Sequence, residues 1–313
     1  MNKGITITLI TLLSILLFFL VGIMIFLFNG KINFNNFKIA SGQSQTLVEE
    51  KEISSIKDLL INTDVVDVKV EKNDSNSIKV ELYSDDAKEH EITENDNNIK
   101  IVLNCSKKIN FGLFNKIPNV RIYVPASFNK NITVNTDVGD IKIGDFKDSN
   151  LYVKGRTGDI KATAINNANI YLTTGDVKID KANDITSEIR TGDHKINSAR
   201  NVEINSTTGD IKVEDSVNKI AAKTTTGDIK IGDIKYSAKI VTNTGDVYID
   251  NAAIKEKSSI EVRTGDVYVE SSTGCYVDGS SKSGDVNINN NNKDRKSDIE
   301  LKIKTITGDI KVN

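Results

Sequence analysis

The sequence predicts an all-β chain built as a parallel β-solenoid, a β-helix-like stack of about ten two-strand rungs, preceded by one N-terminal transmembrane helix. Three observations predict it. A Gly-Asp pair recurs at Gly139, Gly158, Gly175, Gly192, Gly209, Gly227, Gly245, Gly265, Gly284 and Gly308, in steps of 19, 17, 17, 17, 18, 18, 20, 19 and 24 residues. Self-similarity at a near-fixed period marks a repeat architecture. Around each pair, apolar and polar residues alternate with the period of two that half-buried strands require. Finally, Ile5 to Phe28 form one uncharged apolar run.

Taken in order, residues 1–4 are expected to be a short cytoplasmic N-terminus and residues 5–28 a signal-anchor helix. A helix of that length reaches roughly 36 Å, enough to cross a hydrocarbon core of about 30 Å with some tilt. A cleaved signal peptide is the alternative. Its apolar region would be shorter and would end in a small-x-small site, whereas this run exits through Phe28-Asn29-Gly30-Lys31. Residues 29–52 read as a polar linker. Residues 53–135 carry alternating segments such as Ile78–Leu82, Ile99–Leu103 and Val120–Val124, and read as an N-terminal β section or cap. Residues 136–313 are the repeat region.

With 41 basic and 43 acidic side chains, no net field recruits nucleic acid. The two cysteines, Cys105 and Cys275, lie 170 residues apart without metal-ligand spacing, and read as unrelated buried thiols. A disulfide between them is the alternative.

Aligned on Gly, each unit places Ile or Val one residue after Asp, except His194, and Ile, Val or Ala two further on. Lys occupies the position between these two in seven units, Tyr248 and Tyr268 in two, and Asn287 in one. Thr or Ser precedes every Gly except Gly139, which follows Val138. The inward parity slips by one across Gly-Asp, so the chain must turn there. The corners are therefore Gly158-Asp159, Gly175-Asp176, Gly192-Asp193, Gly209-Asp210, Gly227-Asp228, Gly245-Asp246 and Gly265-Asp266. Gly supplies the permissive backbone, and Asp accepts hydrogen bonds from nearby N–H groups to hold the turn. One period is then strand, corner, strand and a polar return turn. Each unit stacks on the one before it, the Thr residues face inward as a hydroxyl ladder, and Lys interleaves with Asp to relieve repulsion between rungs. The polar run beginning at Asn289 reads as the insertion that lengthens the last period.

Calcium at Asp176, Asp193, Asp210 and Asp228 is the alternative to turn-fixing. With one Gly and one Asp per unit, and a hydrophobe beside the Asp, the pattern lacks the oxygen-rich spacing of calcium β-rolls. His194 reads as a hydrogen-bonded core residue. No nucleophile, paired carboxylate or phosphate loop stands out from the repetition, so no catalytic residue and no cofactor is assigned. A binding surface, if the rungs carry one, lies where they differ: outward Tyr248 and Tyr268, and Arg156, Arg190 and Arg263 two residues before Gly. The two Tyr would alternatively pack on the loop after Asn289.

The Thr-Gly-Asp-Ile/Val-x-Ile units, the segment Val66-Asp67-Val68-Lys69-Val70 and the segment Val120–Pro125 resemble the bacterial toastrack β-repeat family, a domain of unknown function labelled "putative adhesin". The resemblance spans residues 53–313. It implies an all-β repeat, commonly on membrane-anchored proteins, some beside envelope-stress signalling systems, with no catalytic residues to carry over. Val66 and Val138 depart from the pattern, so their units are expected to be irregular. The function expected is a non-enzymatic, membrane-anchored extracytoplasmic module that binds or scaffolds the envelope, contacting an envelope polymer or another membrane protein. The alternatives are an accessory or sensor subunit of an envelope-stress system, whose span residues Phe18 and Phe19 would touch the partner, and, more remotely, a polysaccharide-acting enzyme.

Overall fold

In this computed structural model the described residues are 45–105, 117–289 and 297–313. The apolar run 5–28, the residues before it and most of the 29–52 linker lie outside them. Among the described residues no helix is long and apolar enough to cross a membrane.

The described residues form one sheet system of 21 strands. In chain order these are β1 (Leu47–Ile53), β2 (Asp58–Val65), β3 (Asp67–Asn73), β4 (Ile78–Tyr83), β5 (Ala87–Glu94), β6 (Asn98–Cys105), β7 (Asn119–Pro125), β8 (Ile132–Val138), β9 (Ile141–Thr157), β10 (Ile160–Thr174), β11 (Val177–Thr191), β12 (His194–Thr208), β13 (Ile211–Thr226), β14 (Ile229–Thr244), β15 (Val247–Ala253), β16 (Ser258–Thr264), β17 (Val267–Thr273), β18 (Tyr276–Ser283), β19 (Val286–Ile288), β20 (Glu300–Thr307) and β21 (Ile310–Val312). From β8 onward every pairing is parallel, and like residues face like: Ile160 pairs with Val177, Lys161 with Lys178, Thr174 with Thr191. The two apolar positions after each corner are the core. Ile160, Val177, Ile211, Ile229 and Val247 are each at most 1% exposed. Each such side chain contributes roughly 1.5–3 kcal/mol by leaving water.

The return segment is not a turn. In β9 to β14 it belongs to one continuous strand of 15 to 17 residues, so each rung breaks only at Gly-Asp. It also supplies a third inward column, Phe146, Ile165, Ala182, Ala199, Val217, Ile234 and Ala252, in mutual register. The polar composition there had suggested a turn because only one residue per return faces the core.

The Thr residues before Gly do not face in. Thr157, Thr174, Thr191, Thr208, Thr226, Thr244, Thr264 and Thr307 are all exposed. The inward phase ends three residues before Gly, and two outward residues follow in succession. The inward hydroxyls sit at that earlier position. Thr224 Oγ1 donates to the Gly209 carbonyl at 3.3 Å, Thr242 to Gly227 at 3.3 Å, and Thr305 to Gly265 at 3.2 Å.

Stack order departs from chain order at both ends. At the start, β2 lies between β6 and β8, and β3 between β7 and β9. Antiparallel β5 covers β6, antiparallel β4 covers β7, and β1 lies on β4. The strand β5 reads Ala-Lys-Glu-His-Glu-Ile-Thr-Glu, mostly exposed, and its charges discourage further pairing. At the far end, β20–β21 lies between β16–β17 and β18–β19, paired on both sides. The last rung in sequence is thus the penultimate rung in space. The long final period separates β19 from β20, the rung that sits inside it in the stack.

Candidate functional site

The corners form the most regular surface feature. All ten Gly residues of the Gly-Asp pairs have φ between 138° and 149°, where L side chains rarely go. Space is equally restrictive. A Cβ on Gly209 would sit 2.0 Å from the Gly192 carbonyl oxygen, and one on Gly175 2.0 Å from that of Gly158. Each corner therefore lies backbone against backbone on its neighbour. Val138 does not disturb this, since Gly139 has φ 149° like the rest. Val66 does differ. No non-Gly residue among those described has positive φ, so its corner uses another conformation. The rung outside it joins β6 to β7 through residues 106–116 and not through a Gly-Asp corner, and Val66 is fully buried.

Asp works between rungs and not within its own turn. The Gly N–H and the N–H after Asp donate to the next rung: Gly192 N to Thr208 O at 3.0 Å, His194 N to Asp210 O at 2.8 Å. The N–H of Asp itself points the other way and meets the preceding Asp side chain. Asp193 N donates to Asp176 Oδ1 at 2.8 Å, Asp210 N to Asp193 Oδ1 at 2.8 Å, and Asp228 N to Asp210 Oδ1 at 2.8 Å. The same bond links Asp140 to Asp67, Asp159 to Asp140, Asp176 to Asp159, Asp246 to Asp228 and Asp266 to Asp246. It then runs from Asp309 to Asp266 and from Asp285 to Asp309, in stack order. These amides offset the carboxylate repulsion that Lys was expected to relieve. Two of the Lys residues two beyond Asp pair elsewhere: Lys195 and Lys212 share Glu214 at 2.9 and 2.8 Å. At Asp176, Asp193, Asp210 and Asp228 one carboxylate oxygen is thus committed to backbone. Among the described residues no group of three or more His, Cys, Asp or Glu side chains is placed to hold a metal ion.

The outward residues do not converge on one site. Tyr248 and Tyr268 are register partners on β15 and β17. The Tyr248 hydroxyl donates to Asp246 Oδ2 at 3.1 Å, and Lys311 Nζ sits 5.3 Å from the Tyr268 ring centre, so both are engaged within the fold. Arg156, Arg190 and Arg263 lie on the pre-corner strands β9, β11 and β16, the first pair two rungs apart and the third four rungs further along the stack. Arg156 pairs with Asp137 at 3.1 Å. A second aromatic pair escaped the sequence reading. Tyr152 and Tyr171, 38% and 37% exposed, hold their rings 5.8 Å apart on the outer face of β9 and β10. The available signal was Tyr flanked by two buried hydrophobes, in Leu151-Tyr152-Val153 and Ile170-Tyr171-Leu172.

The family model "Toastrack DUF4097" matches residues 56–313. The chain belongs to the Toastrack family. Similar solved structures include a "putative adhesin" from Bacteroides fragilis (14% identity, 86% of this chain and 98% of that one, TM-score 0.38). A "putative lipid binding protein" from Parabacteroides distasonis also resembles it (15% identity, 71% and 94%, TM-score 0.39). So does a "putative cell adhesion protein" from Clostridium sporogenes (14% identity, 84% and 98%, TM-score 0.21). No curated protein matches.

Inside this Toastrack stack, His194 fills a core position between Val177 and Ile211 and is 1% exposed. Its Nε2 lies 3.0 Å from Ser187 Oγ, while Nδ1 has no hydrogen-bond partner among the described residues. Burial lowers its pKa to about 4, against a smaller opposing effect of Asp176. An unfolded histidine titrates near 6.5. Below that pH the unfolded chain takes up a proton that the folded chain refuses, so stability falls as pH drops from about 6.5 to about 4. His194→Val should remove about 3 kcal/mol of that pH dependence. Urea unfolding of both chains at pH 7.5 and pH 4.5 checks it; parallel losses in the two would contradict it.

Cys105 and Cys275 are both free and buried. Burial raises both thiols above their ordinary range, which makes them poor nucleophiles.

Proposed function

We propose that the chain is a non-enzymatic binding module, anchored in the membrane through residues 5–28 and displayed outside the cytoplasm, where its sheet faces hold an envelope polymer or protein. The observation that carries the reading is the division of labour along each rung. Corners, inward positions, the hydroxyl residue before Gly and the Lys between the apolar pair largely recur, while the outward column of the pre-corner strand varies, with Lys154, Tyr171, Glu188, Asn205, Lys223 and Val241 in register. The groups that could have carried chemistry are used in construction: corner carboxylates hold amides, and His194 is sealed in the core.

A test follows from the free thiols. In intact cells, a membrane-impermeant maleimide should label exposed Lys223→Cys and leave buried Cys105 and Cys275 untouched. Isolated cell envelopes should then retain the full-length chain. Labelling only after the cells are opened, or no retention on envelopes, would refute the reading. Crosslinking to one membrane protein without retention on envelope polymer would favour a signalling accessory instead.

A further inference from the structure

We propose that the Tyr152–Tyr171 face is a binding platform for a glycan chain bearing carboxylate groups. The inference rests on the binding-module reading and names its ligand class.

The two rings are tilted 46° to each other and exposed. Neither hydroxyl hydrogen-bonds to another described residue, unlike that of Tyr248. An exposed ring flanked by polar side chains suits the C–H face of a sugar. In stack direction Tyr171 stands between Lys154 and Glu188, and Tyr152 between Thr133 and Asn169. A groove of about 440 Å³ runs here across four rungs, β9 to β12, and includes Lys154, Tyr171, Glu188, Arg190 and Asn205. Asn169 and Asn205 offer amides to hydroxyl groups.

Charge complementarity selects an acidic glycan. Lys154 and Arg190 flank Tyr171 in the rungs on either side of it, and neither forms an ion pair among the described residues. Against them stands Glu188 alone, so the groove is net positive, and Arg can clasp a carboxylate through two parallel N–H bonds. A peptide strand has no edge to join, because β9, β10 and β11 are paired on both sides. A ligand must therefore lie on the face, and a polymer whose residues repeat along the stack meets a fresh set of outward side chains at each rung, about 4.8 Å further on.

The experiment titrates the full-length chain in detergent with polygalacturonate, alginate, hyaluronate, uncharged dextran and poly(dT). At least one carboxylated glycan should bind, more tightly than dextran and less tightly as salt rises. Tyr152→Ala with Tyr171→Ala should weaken that binding at least 10-fold without lowering the thermal midpoint. Lys154→Gln with Arg190→Gln should abolish the preference over dextran. The proposal is overturned if no carboxylated glycan binds, if the double Tyr variant binds as wild type, or if poly(dT) binds more tightly than every glycan. Retention on envelopes alongside any of these would leave the binding-module reading standing; loss of retention as well would end both.

Discussion

Replacing Gly209 by Ala should cost about 4 kcal/mol, from backbone strain and overpacking together. Two independent facts set the size. The residue has φ +141°, and a Cβ there would meet the Gly192 carbonyl oxygen at 2.0 Å and Asp193 Oδ1 at 3.1 Å. Neither neighbour is a flexible side-chain tip. The carbonyl belongs to the adjoining corner, and Asp193 Oδ1 already holds the Asp210 N–H. Relief would require the rungs to separate, which would stretch the flanking bonds from Gly192 N to Thr208 O and from His194 N to Asp210 O. Gly144→Ala is the control. It has no positive φ, and its nearest neighbours to a new Cβ, the Val70 carbonyl at 3.5 Å and the Phe146 ring at 3.6 Å, are in ordinary contact. It should change stability by no more than about 0.5 kcal/mol. Chemical denaturation of both variants decides the matter, and equal midpoints would contradict the stacked-corner account.

The buried columns and the corner glycines were readable in the sequence because a period-two pattern interrupted by Gly-Asp permits few other geometries. Membership of a toastrack-type repeat family was readable for the same reason. The role of Asp was half readable. A carboxylate accepting a backbone N–H was expected, but the donor lies 17 to 20 residues away in most units and not within the turn. Local spacing cannot reveal that, since it follows from stacking. The orientation of Thr was misread because alternation was carried one step too far: Val262 is inward, but Arg263 and Thr264 both face out. Tyr152 and Tyr171 sit in different positions of their units, so aligning the repeats never brought them together. They meet only diagonally across two strands. Stack order was hidden most deeply. Every rung offers the same backbone bonds to every other, and only side chains that break the pattern decide which rung goes where.

Those side chains explain the end of the stack. The inward residues of β20–β21 are Leu301, Ile303, Thr305, Ile310 and Val312, each at most 5% exposed. Their counterparts on β18–β19 are Val277, Gly279, Ser281, Val286 and Ile288. A terminal rung has a neighbour on one side only, so apolar groups there stay partly wet, as Val286 does at 40% exposure. Gly and Ser lose little in that place. Gly279 also leaves room for Ile288, whose Cδ1 would lie 2.7 Å from a Cβ there. The better apolar rung goes inside, and the poorer one closes the end with a short polar edge strand.

Deleting residues 298–313 should therefore do more than trim a terminus. It removes the acceptors of two amides in the preceding rung, Gly265 N to Thr307 O and Val267 N to Asp309 O, both at 2.9 Å. It also strips β18–β19 of the parallel neighbour it has among the described residues. Hydrogen exchange at Gly265 and Val267 should accelerate on the order of 100-fold, about 3 kcal/mol of local opening free energy. Gly209, whose N–H donates to Thr226 O at 2.9 Å several rungs away, should exchange as before. Were β18–β19 able to move into the vacated slot, Thr264 would pair with Ser283 and both amides would stay protected. Gly279 and Ser281 argue against that outcome, since they would then face a core column of Ile260 and Val262 with little apolar surface to offer. Retained protection at Gly265 and Val267 would show that the two stacking orders are interchangeable and that side-chain differences between the last rungs do not choose between them.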